Sequence, residues 1–348
     1  MHLDNINEFK FHAPKGHLTI KCLDMHTEGE PLRIILSGLP EIKGKSILEK
    51  RAYFKSNYDY IRTGLMWEPR GHADQYGAIL VEAERADSDF GVIFLHNEGY
   101  STMCGHAIIA ITKAVLGTNL LGDNSTKADL KIDTPAGQII AYGHRENGIV
   151  KYCSFDNVAS FVYKKDMHVN VIGLRDIQYD IAFGGAFYAY VDAQQLGLKL
   201  NKENHDNIIR YGKLIKQAVM ASEKIQHPEF EDLSFLYGVI FISEAENKLH
   251  HSRNVCVFAQ GELDRSPTGT GVSGRAALHF ADGTLQANEA IKIESILGSL
   301  MEVKIIETTK YFNYPAIIPN VKGTAFVTGQ QSFYFDPDDP LKEGFIFR

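Results

Sequence analysis

The chain is poor in several features that would have fixed its class at once. It has four cysteines in 348 residues, Cys22, Cys104, Cys153 and Cys256, and no two form a CxxC pair. A disulfide framework and a zinc knuckle are both excluded by that usage, and a reducing compartment is expected. No apolar run reaches the roughly 18 residues that a membrane helix needs. The opening MHLDNINEFKFHAPKG lacks the apolar segment of a secretory signal, so a cytoplasmic location is expected. There is no basic tract, and the net charge is -7, which argues against nucleic acid or an anionic membrane as partner. A P-loop, a Rossmann glycine fingerprint and a Schiff-base lysine context are missing too, so no cofactor is expected. His72 and the pair His250–His251 lack the ligand spacing of a zinc site, and no metal is expected.

What remains is an ordinary globular composition, 44% hydrophobic and 23% charged, at a length suited to two domains. Residues 17–23 alternate as a strand, and 25–38 read as a glycine-bearing turn and a second strand. Helical spacing covers 46–66, short β runs cover 77–83 and 91–97, and an apolar helix covers 108–116. Residues 129–155 read as a strand, turn and strand series. The pattern then repeats. Strand-like 177–192 contains a double glycine, 205–225 is a long amphipathic helix, 236–245 and 253–261 are strands, and 271–283 is a second apolar helix with Gly283 as its C-cap. More strand follows in 284–311, and TAFVTGQQSFYF (324–335) reads as a β-hairpin that returns to the first half.

Two segments anchor this repeat about half a chain apart: CGHA (104–107) opens the first short helix and TGTG (268–271) the second. Two glycine-rich helix starts can coincide by chance. As chemistry they offer more. Each helix N-terminus presents unpaired N–H groups and a positive dipole end, and glycine lets a carboxylate approach the backbone. The same field favours a thiolate at Cys104. A thiolate base beside an anion site suits removal of a proton from the carbon next to a carboxylate, with the donors stabilising the resulting charge. Asp264 could pair with a substrate amine or simply form a turn. His106 could meet the same amine or be structural, and Thr268 reads equally as an N-cap.

The blocks MCGH (103–106) and DRSPTGTG (264–271) resemble the proline racemase family. DMHTEGEP (24–31), WEPRGHADQYGA (67–78), DTPAG (133–137) and FGGAFYA (183–189) agree, so the resemblance runs from about residue 19 to about residue 330. It implies an α/β (α+β) fold of two pseudo-symmetric domains of the diaminopimelate-epimerase type, each a sheet wrapped round a central helix, with the active site between them. The first domain would comprise 1–160 plus 324–348 and the second 161–323.

Racemases of the family carry a cysteine in both motifs, one for each face of the substrate. Here Thr268 replaces the second, and the Cys/Thr pair resembles the branch that dehydrates trans-3-hydroxy-L-proline to Δ1-pyrroline-2-carboxylate. Stereochemistry agrees. In the trans isomer the Cα hydrogen and the C3 hydroxyl share a face, so one residue on that face suffices for elimination, whereas a two-base racemase needs a second acid. The resemblance gives Cys104 the role of base. It gives Asp264 and His106 the ring ammonium, Gly105, Gly269 and Thr270 the carboxylate, and Thr268 the far face. Cys22, Cys153 and Cys256 are expected to be buried in strands. The expected partner is a small imino acid, and a homodimer is the assembly allowed for. Two alternatives stay open: a proline racemase or 4-hydroxyproline 2-epimerase, and a non-catalytic imino-acid-binding protein.

Overall fold

The computed structural model describes residues 9–118, 120–122 and 126–347. The first eight residues, which belong to the N-terminal segment read above and to the span expected for the first domain, lie outside the described residues, as does residue 348.

The first half runs β1 (Leu18–Thr27), β2 (Glu30–Ser37), α1 (Ile47–Met66), β3 (Gly77–Val81), β4 (Phe90–His96), β5 (Gly99–Ser101), α2 (Gly105–Gly117), β6 (Asp129–Thr134), β7 (Gly137–Glu146) and β8 (Ile149–Asp156). After β9 (Ser160–Asn170) the same order returns. It consists of β10 (Asp176–Phe183), β11 (Phe187–Asp192), α3 (His205–Ser222), β12 (Leu236–Ser243), β13 (Ser252–Phe258), β14 (Glu262–Leu263), α4 (Gly269–Ala281), β15 (Ala290–Glu294), β16 (Leu300–Tyr311) and β17 (Tyr314–Gly323). A last strand, β18 (Ala325–Phe335), completes the chain's β structure.

The pairing repeats as faithfully as the order. In the first half β2 pairs β3 and β4 pairs β6 in parallel; in the second, β11 pairs β12 and β13 pairs β15 in parallel. All other ladders are antiparallel. Parallel partners need a crossover, and α1 and α3 supply the longer ones. The second sheet closes into an eight-stranded barrel, β9 through β13 and β15 through β17, because β17 returns to β9. In the first half β18 lies antiparallel along β1, as β9 does along β10, while β8 pairs with β17 and joins the two sheets.

Each sheet wraps one helix. Ala107, Ile108, Ile109, Ala110, Ile111, Ala114 and Val115 of α2 are almost wholly buried, so the helix is apolar all round, as a helix enclosed by a sheet must be. It packs on β7, β8, β1 and β18, and α4 packs likewise on β9, β10, β16 and β17. The outer helix α1 starts at a capping box, in which Ser46 accepts from the Glu49 N–H and Glu49 reaches back. No helix among the described residues is long and apolar enough to cross a membrane.

Four readings of the sequence are corrected. Residues 324–335 form one continuous strand, not a hairpin. Gly329 faces Asp24 at a bulge in the β1 ladder, where the register slips and the strand runs on. Both central helices begin earlier than their apolar runs, at Gly105 and Gly269, since their first turns carry glycine, His106 and Thr270. Gly283 lies one residue past the cap, at φ +70°, after Asp282. The strand β9 went unread because FVYKKDMHVN alternates only partly and carries charge in its middle.

The two central helices point their N-termini at each other. A Cβ on Gly105 would stand 2.7 Å from the Gly269 Cα, and one on Gly269 would stand 2.7 Å from the Gly105 Cα. The double glycine of β10–β11 serves the same junction: a Cβ on Gly184 would meet the Thr270 carbonyl at 2.2 Å. Gly105→Ala places a good helix former in a helical turn, a change that by itself favours the helix. Here the clash should dominate and lower stability by about 1–3 kcal/mol, measured by denaturant titration. Unchanged stability would mean that the helix ends do not meet as described.

Candidate active site

Cys104 and Thr268 are the N-cap residues of α2 and α4, so the helix junction brings them to one enclosed space. This cavity of about 20 Å³ is lined by Cys104, Gly105, His106, Asp264, Thr268, Gly269 and Thr270, together with Tyr76, Met103, Tyr188, Tyr237, Cys256 and Phe258. The expected base, ammonium-binding, carboxylate-binding and far-face residues therefore lie in one place. Room for about one water molecule is left, so a proline-sized ligand requires the lining to open. A larger cleft of about 480 Å³ lies on the other side of Tyr237, lined in part by Arg51, Lys55 and Lys216.

Cys104 is 5% exposed. Its sulfur lies 3.2 Å from His106 Nδ1. Burial pushes the thiol well above its usual range, and the nearby Ala107 N–H and Tyr76 hydroxyl oppose that only in part. The charges of Asp264 and Glu30 raise it further. The expectation that the helix start alone yields a thiolate is thus corrected: in the closed cavity desolvation outweighs the helix N–H groups. Nor does His106 supply a positive charge. Burial lowers its pKa to about 3, so the imidazole is neutral.

On the opposite wall the Thr268 hydroxyl donates to Asp264 Oδ2 at 2.7 Å, and the Ser266 N–H donates to Asp264 Oδ1 at 2.7 Å. Thr268 occupies the N-cap position but does not cap the helix with its side chain. It sits at φ +69°, an uncommon conformation for a β-branched residue, held by the Asp264 bond and by donation of its N–H to Ser266 Oγ at 3.1 Å. Asp264 forms the turn through Ser266 and also lies buried in the cavity wall. Burial raises its pKa, against the Thr268 and Ser266 hydrogen bonds. Glu30 accepts from the Arg265 N–H at 2.7 Å and is likewise raised, first by burial and then by Asp264. Two buried carboxyl groups, Asp264 and Glu30, thus lie close together, no lysine or arginine lines the cavity among the described residues, and the neighbouring Arg265 pairs with Asp74 at 2.6 Å.

Sequence reasoning passed over several of the lining residues. Tyr76 lies inside WEPRGHADQYGA, where the histidine drew attention instead. Tyr188 follows the double glycine. Tyr237 and Phe258 look like ordinary strand residues. Cys256 is buried, as expected, but it also lines the cavity. Elsewhere Cys22 and Cys153 are buried in strands, and His250 binds Glu294 at 2.8 Å.

Comparison with known proteins places this geometry. The family described as proline racemase matches residues 22–346. The chain belongs to the proline racemase family. A protein of Colwellia psychrerythraea named trans-3-hydroxy-L-proline dehydratase is 53% identical over 96% of this chain and 94% of its own length. A human protein of the same name is 41% identical over 97% of each chain. Among solved structures, a hydroxyproline epimerase of Agrobacterium vitis with bound trans-4-hydroxy-L-proline superposes with a TM-score of 0.89 at 27% identity, covering 95% of both chains. That structure thus shares the fold of this chain over nearly its whole length.

The raised thiol makes a direct prediction. A group whose pKa lies above the ordinary thiol value of about 8.5 is protonated at neutral pH. Alkylation of Cys104 by iodoacetamide in the free protein, followed by peptide mass mapping, should be slow at pH 7 and keep rising beyond pH 9. A plateau reached below pH 7 would show a thiolate already formed.

Proposed function

We propose that this protein dehydrates trans-3-hydroxy-L-proline to Δ1-pyrroline-2-carboxylate without a cofactor. The observation that carries this reading is the pairing across the cavity of one thiol, Cys104, with one hydroxyl, Thr268. Relatives named for this activity at 41–53% identity support it.

The chemistry follows from the walls. Gly105, Gly269 and Thr270 offer first-turn N–H groups from both helices to the substrate carboxylate, and these donors are also aimed where charge accumulates as the Cα proton leaves. The ring ammonium meets the Asp264 carboxylate and the neutral His106, which accepts a hydrogen bond. A cation brought so close to Cys104 reverses the balance set by burial and favours its thiolate. The substrate thus supplies the positive charge that the free site lacks. Cys104 then takes the Cα proton, and the C3 oxygen leaves from the same face as water. The enamine tautomerises to the imine. Thr268 has no role in proton transfer; its hydroxyl is committed to Asp264 and shapes the far face. The approach is through the cleft beyond Tyr237, whose Arg51, Lys55 and Lys216 attract a carboxylate. The halves that close on the substrate are taken as 1–160 with 324–348, and 161–323.

Incubation with trans-3-hydroxy-L-proline, trans-4-hydroxy-L-proline and L-proline, with products read by mass and chirality, tests the assignment. Water loss from the first substrate only is expected. Cys104→Ser should retain the fold and lose nearly all turnover, since serine is a far weaker base at neutral pH. A folded, active Ser variant would sink the mechanism.

Thr268→Cys restores the missing second thiol. It should give slow epimerisation at Cα of proline or a hydroxyproline, detected by chiral chromatography, while dehydration persists. The wild type should exchange Cα hydrogen only with retention. Racemisation by the wild type would mean that another group serves the far face and would remove the dehydratase assignment.

A further inference from the structure

Elimination needs a proton for the departing hydroxyl as well as a base for the Cα hydrogen. The reading above leaves that donor unassigned. Hydroxide is a poor leaving group, and Cys104 is occupied with the Cα proton while the C3–O bond weakens.

The cavity contains a second set of hydroxyls. Tyr76 comes from the segment before β3 in the first half, and Tyr237 from β12 in the second. Their hydroxyls stand 3.5 Å apart, either one able to donate. That is the outer limit of a hydrogen bond, so neither group is fully engaged. Their neighbours differ. The Tyr188 hydroxyl is bonded to Thr270 Oγ1 at 2.7 Å, and the Tyr190 hydroxyl donates to the Gly271 carbonyl at 2.7 Å. Those two phenols hold α4 in place, whereas Tyr76 and Tyr237 face the space where substrate must go.

The two rings are fixed. His96 stacks on Tyr76 with centroids 5.9 Å apart, and Phe258 stacks on Tyr237 at 5.3 Å. His106 meets the Tyr76 ring edge-on at 4.8 Å. Ser101, wholly buried beneath them, donates to the Met103 carbonyl at 3.0 Å. Burial holds both phenols in their protonated form, so they are donors at neutral pH. Tyr76 also touches His106, whose Nδ1 lies 3.2 Å from the Cys104 sulfur. It therefore lies on the base's side of the cavity, opposite Thr268 and Asp264. In the trans isomer the C3 hydroxyl is on that side too.

Resting on the dehydratase reading, we propose that the Tyr76–Tyr237 hydroxyl pair receives the substrate's 3-hydroxyl and that Tyr76 is the catalytic acid that protonates it. The step balances. The Cys104 thiolate takes the Cα proton and becomes a thiol. The electrons of the Cα–H bond form the Cα–C3 double bond, and the C3–O bond breaks as its oxygen takes the Tyr76 proton and leaves as water. The adjacent thiol then returns a proton to the Tyr76 phenolate, which restores the thiolate. Tyr237 positions the hydroxyl by a hydrogen bond. A racemase has no leaving group, so this pair is what the dehydration needs in addition to the base and the anion site.

The test compares two leaving groups in Tyr76→Phe. Fluoride is a much weaker base than hydroxide and departs without a full proton. Water release from trans-3-hydroxy-L-proline should fall by about 10²–10⁴-fold, the usual worth of a general acid. Fluoride release from trans-3-fluoro-L-proline should fall at least tenfold less. Equal losses for both substrates, or no loss for either, would overturn the proposal, the first by leaving Tyr76 only a packing role in the cavity wall. Tyr237→Phe should show the same bias toward the fluoro substrate in weaker form, and it carries the comparison if Tyr76→Phe does not fold. A wild-type protein that releases neither water nor fluoride overturns the dehydratase reading itself, a result distinct from a wild type that releases both beside an unbiased variant.

Discussion

The site depends on one close approach. Two helices from two halves of the chain meet N-terminus to N-terminus, with Gly105 and Gly269 so near that neither tolerates a Cβ. Their first-turn N–H groups then converge on a single point, and the two N-cap residues, Cys104 and Thr268, are forced to face each other. Everything around the junction serves to hold it. The sheets grip the helices from outside, Gly184 gives way to the Thr270 carbonyl, and Tyr188 and Tyr190 tie the first turn of α4 by its hydroxyl and carbonyl. Contacts between the halves complete the clamp: Asn157 donates to the Gly184 carbonyl and to Ser273 Oγ, and Thr102 donates to the Gly185 carbonyl.

Such a junction has an electrostatic consequence. It excludes water from a thiol, a histidine and two carboxyl groups at once, and desolvation disfavours every charged form among them. Cys104, Glu30 and Asp264 are raised and His106 is lowered for the same reason. Charge is therefore costly throughout the free site, and the Cys104 thiol is held in its protonated form. A substrate carrying both an ammonium and a carboxylate is the natural complement, since its ammonium meets the carboxyl groups and its carboxylate meets the helix ends. Reactivity of the thiol is in this way tied to occupancy, which protects a buried cysteine from adventitious chemistry.

The far wall explains the choice of reaction. Thr268 sits at φ +69° with its hydroxyl proton donated to Asp264, and a hydroxyl is far less acidic than a thiol. The near wall carries Cys104 and the phenols. An asymmetric cavity of this kind handles bonds on one face of the ring, which is sufficient for loss of water from the trans isomer and insufficient for inversion.

Much of this was legible in the sequence. The order of strands and helices repeats in the amino-acid pattern because a strand's period of two and a helix's of 3.6 are local properties. The residues of CGHA and DRSPTGTG were legible as chemistry through the family resemblance, since thiol, carboxylate, glycine and threonine near a helix start serve equally as core, turn and cap. Local pattern could not tell where a lone strand would pair. Residues 324–335 read as a hairpin because Gly329 resembles a turn, and only the ladder with β1 makes it a bulge. The thiol's protonation was misjudged for a related reason: a helix start is visible in sequence, but desolvation is the sum of what every other segment packs around it. Tyr76, Tyr237 and Cys256 entered the site from the 67–78 block, β12 and β13. Their residue types suit any core, and only the closing of two halves on one another gave them a common cavity. The sequence by itself determined the parts, and the tertiary structure decided which faces met and how much water was left between them.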